Sequence, residues 1–167
     1  DDELALTTVD ERDTKYKKHL KDKYQTYEKE RDQVRMLVDS KGLGKPDTSY
    51  VFSDNYRKAV DGLGSGVLAH QGNVYYTCIP DLWMLRDTKN AHHADVQQSL
   101  STGYGVHTSF IGHDLHGLAV SPVDGKIYFS IGDRGANIVT KEGKKIEVPH
   151  CGAVFRCNAD GSELELF

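Results

Sequence analysis

The feature that most constrains this chain is a repeat. Met36-Leu37-Val38-Asp39-Ser40-Lys41 returns 48 residues later as Met84-Leu85-Arg86-Asp87-Thr88-Lys89, and in each copy an Asp follows eight residues after the first, Asp47 and Asp95. A third, shorter copy, Val154-Phe155-Arg156-Cys157-Asn158, leads into the polar turn Ala159-Asp160-Gly161-Ser162. The strands ahead of these copies repeat as well. Gly66–His70, a Gln-Gly turn and Asn73–Thr77 read as one hairpin, and Gly117–Ser121, a turn through Asp124-Gly125 and Lys126–Ser130 as its counterpart. Alternation with period two, punctuated by Gly and Asp, is the pattern of half-buried antiparallel strands.

The repeating unit is therefore strand, turn, strand, connection, strand, polar turn, strand. Four strands at a spacing of about 40 to 50 residues mark β-propeller blades; a β-sandwich of irregular hairpins fits the same pattern less closely. The expected fold is all-β: a partial β-propeller of about two and a half four-stranded blades with an N-terminal α-helix. The half blade spans residues 39–54, and whole blades span 65–104 and 116–167, the last carrying an insertion between Gly132 and His150. Two and a half blades leave open sheet edges, so further blades or another chain are expected to complete the ring. A chain opening at Asp1 without Met is expected to be processed, trimmed or a fragment.

Ahead of the repeats, Tyr16, Leu20, Tyr24, Tyr27, Val34 and Leu37 recur at near-helical spacing between charged residues, which predicts one amphipathic helix from about Asp10 to Val38 within an N-terminal region 1–38. Thr8 or Asp10 is placed to cap it, with Glu11 and Asp13 in its first turn. Such a helix either lies on its own domain or binds a partner.

Charge narrows the function classes. With 21 Lys and Arg against 25 Asp and Glu, the net charge is −4, which leaves no electrostatic footprint for nucleic acid. No apolar run reaches membrane-spanning length. Cys78, Cys151 and Cys157 form neither a CxxC nor a CxxCH motif, so no zinc ribbon and no attached haem is encoded. If 151–157 is one extended strand, its two sulfurs lie roughly 20 Å apart and do not bridge.

Three constellations can carry chemistry. His107, His113 and His116 precede or enter the second hairpin; they read as structural histidines, as a general base, or as a weak metal set lacking carboxylates at ligand spacing. At the far end of that hairpin, Gly132-Asp133-Arg134-Gly135 is either a tight turn or the carboxylate that orients a histidine. Strands flanking one turn place Asp133 near His113 or His116. The loops Asp39–Asp47 and Asp87–Asp95 resemble calcium loops in their first and ninth positions, but Lys41 and Lys89 at position three and Leu43 and Ala91 at position five remove ligands such a loop needs. They read better as turn-fixing loops.

These residues also resemble a family. GVLAHQGNVYYTCIPDLWMLRDT, GYGVHTSFIGHDLHGLAVSP, DGKIYFSIGDRG and GAVFRCNADGSELELF are similar to the N-terminal propeller of the secreted "membrane-bound dehydrogenase domain" proteins of planctomycetes and verrucomicrobia, which are often fused to a c-type cytochrome. The resemblance covers roughly Arg35 to Phe167. That group is similar in turn to pyrroloquinoline-quinone-dependent glucose and sorbosone dehydrogenases. The resemblance implies a quinone-dependent sugar or alcohol dehydrogenase with a c-type cytochrome partner, in the periplasm or secreted. It puts the catalytic histidine on His113, with His116 as the other register, the supporting carboxylate on Asp133, and a cofactor contact on Arg134. It implies pyrroloquinoline quinone and calcium. The candidate calcium positions in this chain are the degenerate loops at Asp39, Asp47, Asp87 and Asp95, where the family's Asp-rich loops are eroded at Lys41, Leu43, Lys89 and Ala91. The cofactor-gripping Arg and Lys of later blades are outside this chain, so activity of the chain by itself is not expected. A non-catalytic propeller serving as accessory subunit of a redox complex is the other expectation.

Overall fold

A computed structural model describes residues 2–108 and 113–167. In chain order the elements are helix α1 (Val9–Leu20), a 3₁₀ segment (Lys21–Glu28), and strands β1 (Asp32–Val38), β2 (Thr48–Tyr56), β3 (Gly66–His70), β4 (Asn73–Cys78), β5 (Asp81–Arg86), β6 (Val96–Thr102), β7 (His116–Val120), β8 (Ile127–Ile131), β9 (Ala136–Val139), β10 (Lys145–Val148), β11 (Ala153–Cys157) and β12 (Glu165–Leu166). The described chain is mostly antiparallel sheet, and no sheet closes into a barrel. No helix among the described residues is long and apolar enough to cross a membrane.

The repeats fold as repeated sheets. One four-stranded sheet has the order β3-β4-β5-β6, and a second has the order β12-β11-β8-β7. The Gln71-Gly72 turn between β3 and β4 has φ of 50° and 76°, the left-handed pair that a two-residue hairpin matching the strand twist requires. The insertion after Gly132 is the β9–β10 hairpin, with β11 resuming the sheet beside β8.

Strand β4 lies in the middle of the stack, and its alternation shows how. Tyr75 belongs to a core shared with Phe129, Phe155, Tyr104 and Ile127 of the second sheet and its approach. Tyr76 and Cys78 point the other way, into a core with Val34, Phe52 and Tyr56 of the β1–β2 hairpin. A strand covered on both faces has no polar face to alternate with, so Tyr75, Tyr76, Thr77 and Cys78 are all buried. Tyr104, Phe129 and Phe155 pack with ring centroids 5.5 to 5.8 Å apart. Each such ring contributes about 1.5–3 kcal/mol by burial.

The helix expected from Asp10 to Val38 is corrected. It ends at Leu20, and Lys21 turns the chain with φ of 47°. Thr8 caps the helix: its hydroxyl accepts the Glu11 N–H while the Glu11 carboxylate accepts the Thr8 N–H, a capping box. Residues 32–38 are a strand, in which Val34 is buried while Leu37 is 62% exposed. The half sheet expected over 39–54 is thus the hairpin β1–β2, with 39–47 as its loop.

The same repeat governs the two acidic loops. Asp39 accepts the Leu43 and Gly44 amides, and Asp47 accepts the Ser40 amide and hydroxyl. In the second loop Asp87 accepts the Lys89, Ala91 and His92 amides, and Asp95 accepts the Thr88 amide at 2.7 Å and its hydroxyl at 2.6 Å. The Thr88 hydroxyl and amide hold Asp95 well below the usual carboxylate range, to about 2.

All three cysteines are free thiols. Burial pushes Cys157 up to about 12 and Cys78 higher still, whereas Cys151 is exposed. Since the thiolate is the reacting species, Ellman's reagent is expected to titrate one thiol in the native protein and all three in denaturant. A second fast-reacting native thiol contradicts this packing.

Candidate functional site

The loop Gly132–Gly135 follows β8 and runs against the segment Tyr104–His107 and against His113. The Gly132 amide donates to the His113 carbonyl, and a Cβ on Gly132 would sit 3.0 Å from His113 Cα. Glycine therefore lets the loop approach the His113 backbone. Gly135, with φ of 68°, serves the other side: a Cβ there would lie 2.1 Å from the Pro149 carbonyl oxygen. That close approach brings the chain at the end of the β9–β10 hairpin, and with it His150, back to the loop. The His107 amide donates to the Arg134 carbonyl at 2.9 Å, and Arg134 Nε donates back to the His107 carbonyl at 2.8 Å.

Two pairs, each 20 residues apart, leave this junction in different directions. His113 Nδ1–H donates to Asp133 Oδ1 at 2.5 Å. Next to them in sequence, Arg134 Nη1 donates to Asp114 Oδ1 as a buried ion pair, with side chains only 7% and 6% exposed.

The first pair lines a cleft of about 350 Å³ together with His107, Thr108, His150, Glu3 and Leu4. His107 Nε2 and His150 Nδ1 share a hydrogen bond of 3.0 Å. The N-terminal segment forms one wall: Glu3 Oε1 accepts the Thr108 amide at 2.7 Å and lies 3.7 Å from His107 Nδ1. With its Nδ1–H on a carboxylate, His113 keeps the tautomer whose Nε2 accepts a proton, which is how a general base is oriented.

The second pair lies in a cavity of about 480 Å³ walled by Tyr27, Arg57, Lys58 and Asp61 among others. Behind it stands Arg12 of α1, 1% exposed, whose Nη2 donates to the Val60 carbonyl at 2.7 Å and whose Nε has no partner among the described residues. Burial, and then the charge of Arg134, lower the Arg12 guanidinium to about 10, while Tyr16 and after it Asp114 pull the other way.

The structure thus brings His113 and Asp133 together and adds His107 to them. It does not bring in His116, whose Nδ1 is 3.0 Å from the Ser130 hydroxyl and which lines neither cavity. Arg134 lines the second cavity and not the histidine cleft. Asp39, Asp47, Asp87 and Asp95 lie in the loops β1–β2 and β5–β6, in neither cavity. Among the described residues no group of three or more His, Cys, Asp or Glu could hold a metal ion. Sequence reasoning missed His150, Glu3 and Asp114. For His150 the only signal was its place at the end of the insertion.

Fold and site together define an all-β domain of stacked antiparallel sheets, with a histidine–aspartate pair where the second sheet meets the N-terminal segment. The chain belongs to the family described as a domain of unknown function, DUF7133, whose match spans residues 11–167. No curated protein and no solved structure matches it.

Proposed function

We propose that this domain is a segment of a quinone-dependent, sugar- or alcohol-oxidising β-propeller that passes electrons to a c-type cytochrome in the periplasm or outside the cell. The observation that carries the reading is the His113–Asp133 pair, a histidine with one nitrogen held by a carboxylate at the lip of a cleft. In this reading His113 Nε2 takes the proton from the substrate hydroxyl, Asp133 stabilises the imidazolium that results, and His107 and His150 wall the substrate. A bound quinone supplies the two-electron acceptor. Val154, Leu166 and Phe167, exposed on the last sheet, support a further sheet or a second chain packing there.

The residues fit only the proton-accepting half of this chemistry. Arg134 does not fit a grip on the cofactor, because its Nε and Nη1 are committed to the His107 carbonyl and to Asp114. The four loop carboxylates do not fit calcium, since they accept the amides and hydroxyls of their own turns. The grip falls to residues from elsewhere in the assembly. These same observations favour a second reading, a non-catalytic propeller that serves as an accessory subunit of a redox complex.

The test is to reconstitute the complete assembly with pyrroloquinoline quinone and calcium and to assay dye reduction with aldoses and alcohols. Cofactor-dependent reduction that needs His113 supports the catalytic reading. Absence of cofactor binding overturns it in favour of the accessory one.

A further inference from the structure

Besides Asp133, the histidine cleft contains the carboxylate of Glu3. Its Oε1 accepts the Thr108 amide at 2.7 Å and lies 3.7 Å from His107 Nδ1, and its other oxygen pairs with the Lys15 ammonium. Burial alone raises the Glu3 carboxyl, but the Lys15 bond and the Thr108 amide outweigh it and hold the group below its ordinary value. The elements that carry the receiving groups are fixed independently of Glu3, although the Lys15 ammonium itself is held by Glu3. Lys15 is on α1, downstream of the Thr8 cap; the Thr108 hydroxyl is bonded to the Tyr16 hydroxyl at 3.1 Å; and His107 is bonded to His150. The element that delivers Glu3 is slight by comparison. Residues 2–5 form a single turn closed by the Leu6 amide on the Glu3 carbonyl, and Leu4 is 71% exposed. The tether behind that turn is firm, because Leu6 is buried and the Thr7 carbonyl accepts from Asn137 Nδ2 at 2.9 Å.

We propose that Lys15, His107 and the Thr108 N–H form a carboxylate-binding subsite of the cleft, filled here by the protein's own Glu3, so that the ligand of this cleft bears a carboxylate and displaces residues 2–5 to enter. The Lys15 ammonium on one carboxylate oxygen and the Thr108 amide on the other make the strong, charge-assisted kind of hydrogen bond, and the His107 imidazole stands 3.7 Å off beside them. With Glu3 neutralised, the Lys15 ammonium loses its carboxylate partner, which an incoming carboxylate replaces. With Glu3 present, the ligand competes with a tethered group at millimolar effective concentration or above. The inference rests on the cleft being a ligand site, as the proposed function has it, but not on quinone chemistry.

The experiment is a titration of the complete protein, and of its Glu3→Gln variant, with acetate, D-glucuronate and D-glucose, followed by the imidazole NMR signals of His107 and His150. Both carboxylates are expected to bind Glu3→Gln about tenfold more tightly than the unaltered protein. D-glucose, the same ring without the carboxylate, is expected to gain nothing. Lys15→Met placed on Glu3→Gln is expected to remove the gain, with circular dichroism unchanged. Equal carboxylate affinity with and without Glu3, no carboxylate binding to Glu3→Gln, or an equal gain for D-glucose overturns the proposal. Loss of cofactor-dependent dye reduction leaves this titration unaffected, so the two readings fail separately.

Discussion

His113→Ala is expected to lower cofactor-dependent dye reduction by the reconstituted assembly by about 10²–10⁴-fold, the usual contribution of a positioned general base. Asp133→Asn should follow it closely. An amide in place of the carboxylate can accept the Nδ1–H or donate to Nδ1, and either way it no longer stabilises the imidazolium formed when Nε2 takes a proton. His116→Ala is the contrasting variant. Its imidazole is bonded to the Ser130 hydroxyl, outside both cavities, so its loss should change the rate by less than about threefold, in the range of surface substitutions. The distinguishing measurement is the pH profile of kcat/KM. If His113 is the base, the acidic limb vanishes in His113→Ala and persists in His116→Ala. A full rate with His113→Ala removes the histidine from the chemistry.

A pairing of Asp133 with His113 or His116 was legible in the sequence because all three residues flank one hairpin. The choice of His113 came from the register of the resembled family, and the β7–β8 pairing leaves His116 on Ser130 instead. The sheets were legible for a similar reason. The apolar run Asn73–Thr77 and the period-two run Ile127–Ile131, bounded by Gln-Gly and Asp-Gly turns, specify local antiparallel pairs. The helix boundary was not legible. Nothing between Leu20 and Asp32 breaks a helix, since no Gly or Pro occurs there, and Lys21 takes the left-handed turn that a glycine would have announced. The strand identity of Val34 and Met36 comes from Phe52 and Tyr56, residues of the partner strand that packs against them; tertiary contact overrode the helical spacing. His150 stayed hidden because the β9–β10 hairpin carries it across 43 residues of chain to His107. Glu3 has no motif around it, and its partner Thr108 lies 105 residues away. Asp114 flanks the same hairpin as His113 and meets Arg134 across the same 20 residues, but a lone Asp beside a histidine carries no motif that marks it as an ion-pair partner.

Asp114→Asn is expected to destabilise the protein by about 3–5 kcal/mol, the cost of leaving buried charge without its partner, and by more than Arg134→Met does. The order follows from the charge count at the junction. Two guanidiniums, Arg12 and Arg134, are buried with Asp114 between their influences, and Arg134 lowers Arg12 while Asp114 raises it. Removing Asp114 leaves two buried cations facing each other in a medium where screening is weak. Removing Arg134 leaves Asp114 within reach of the Arg12 charge, so part of the neutralisation survives, and the methionine fills much of the vacated stem. Arg134→Met also deletes the bond from Nε to the His107 carbonyl, which adds about 1–3 kcal/mol for an unsatisfied buried acceptor and should shift the His107 imidazole resonances. Urea unfolding checks the order: Asp114→Asn should have the lower midpoint at an unchanged m-value. The reverse order, or a cost below about 1 kcal/mol for both, means that Arg12 does not belong to the same charge cluster as Asp114 and Arg134.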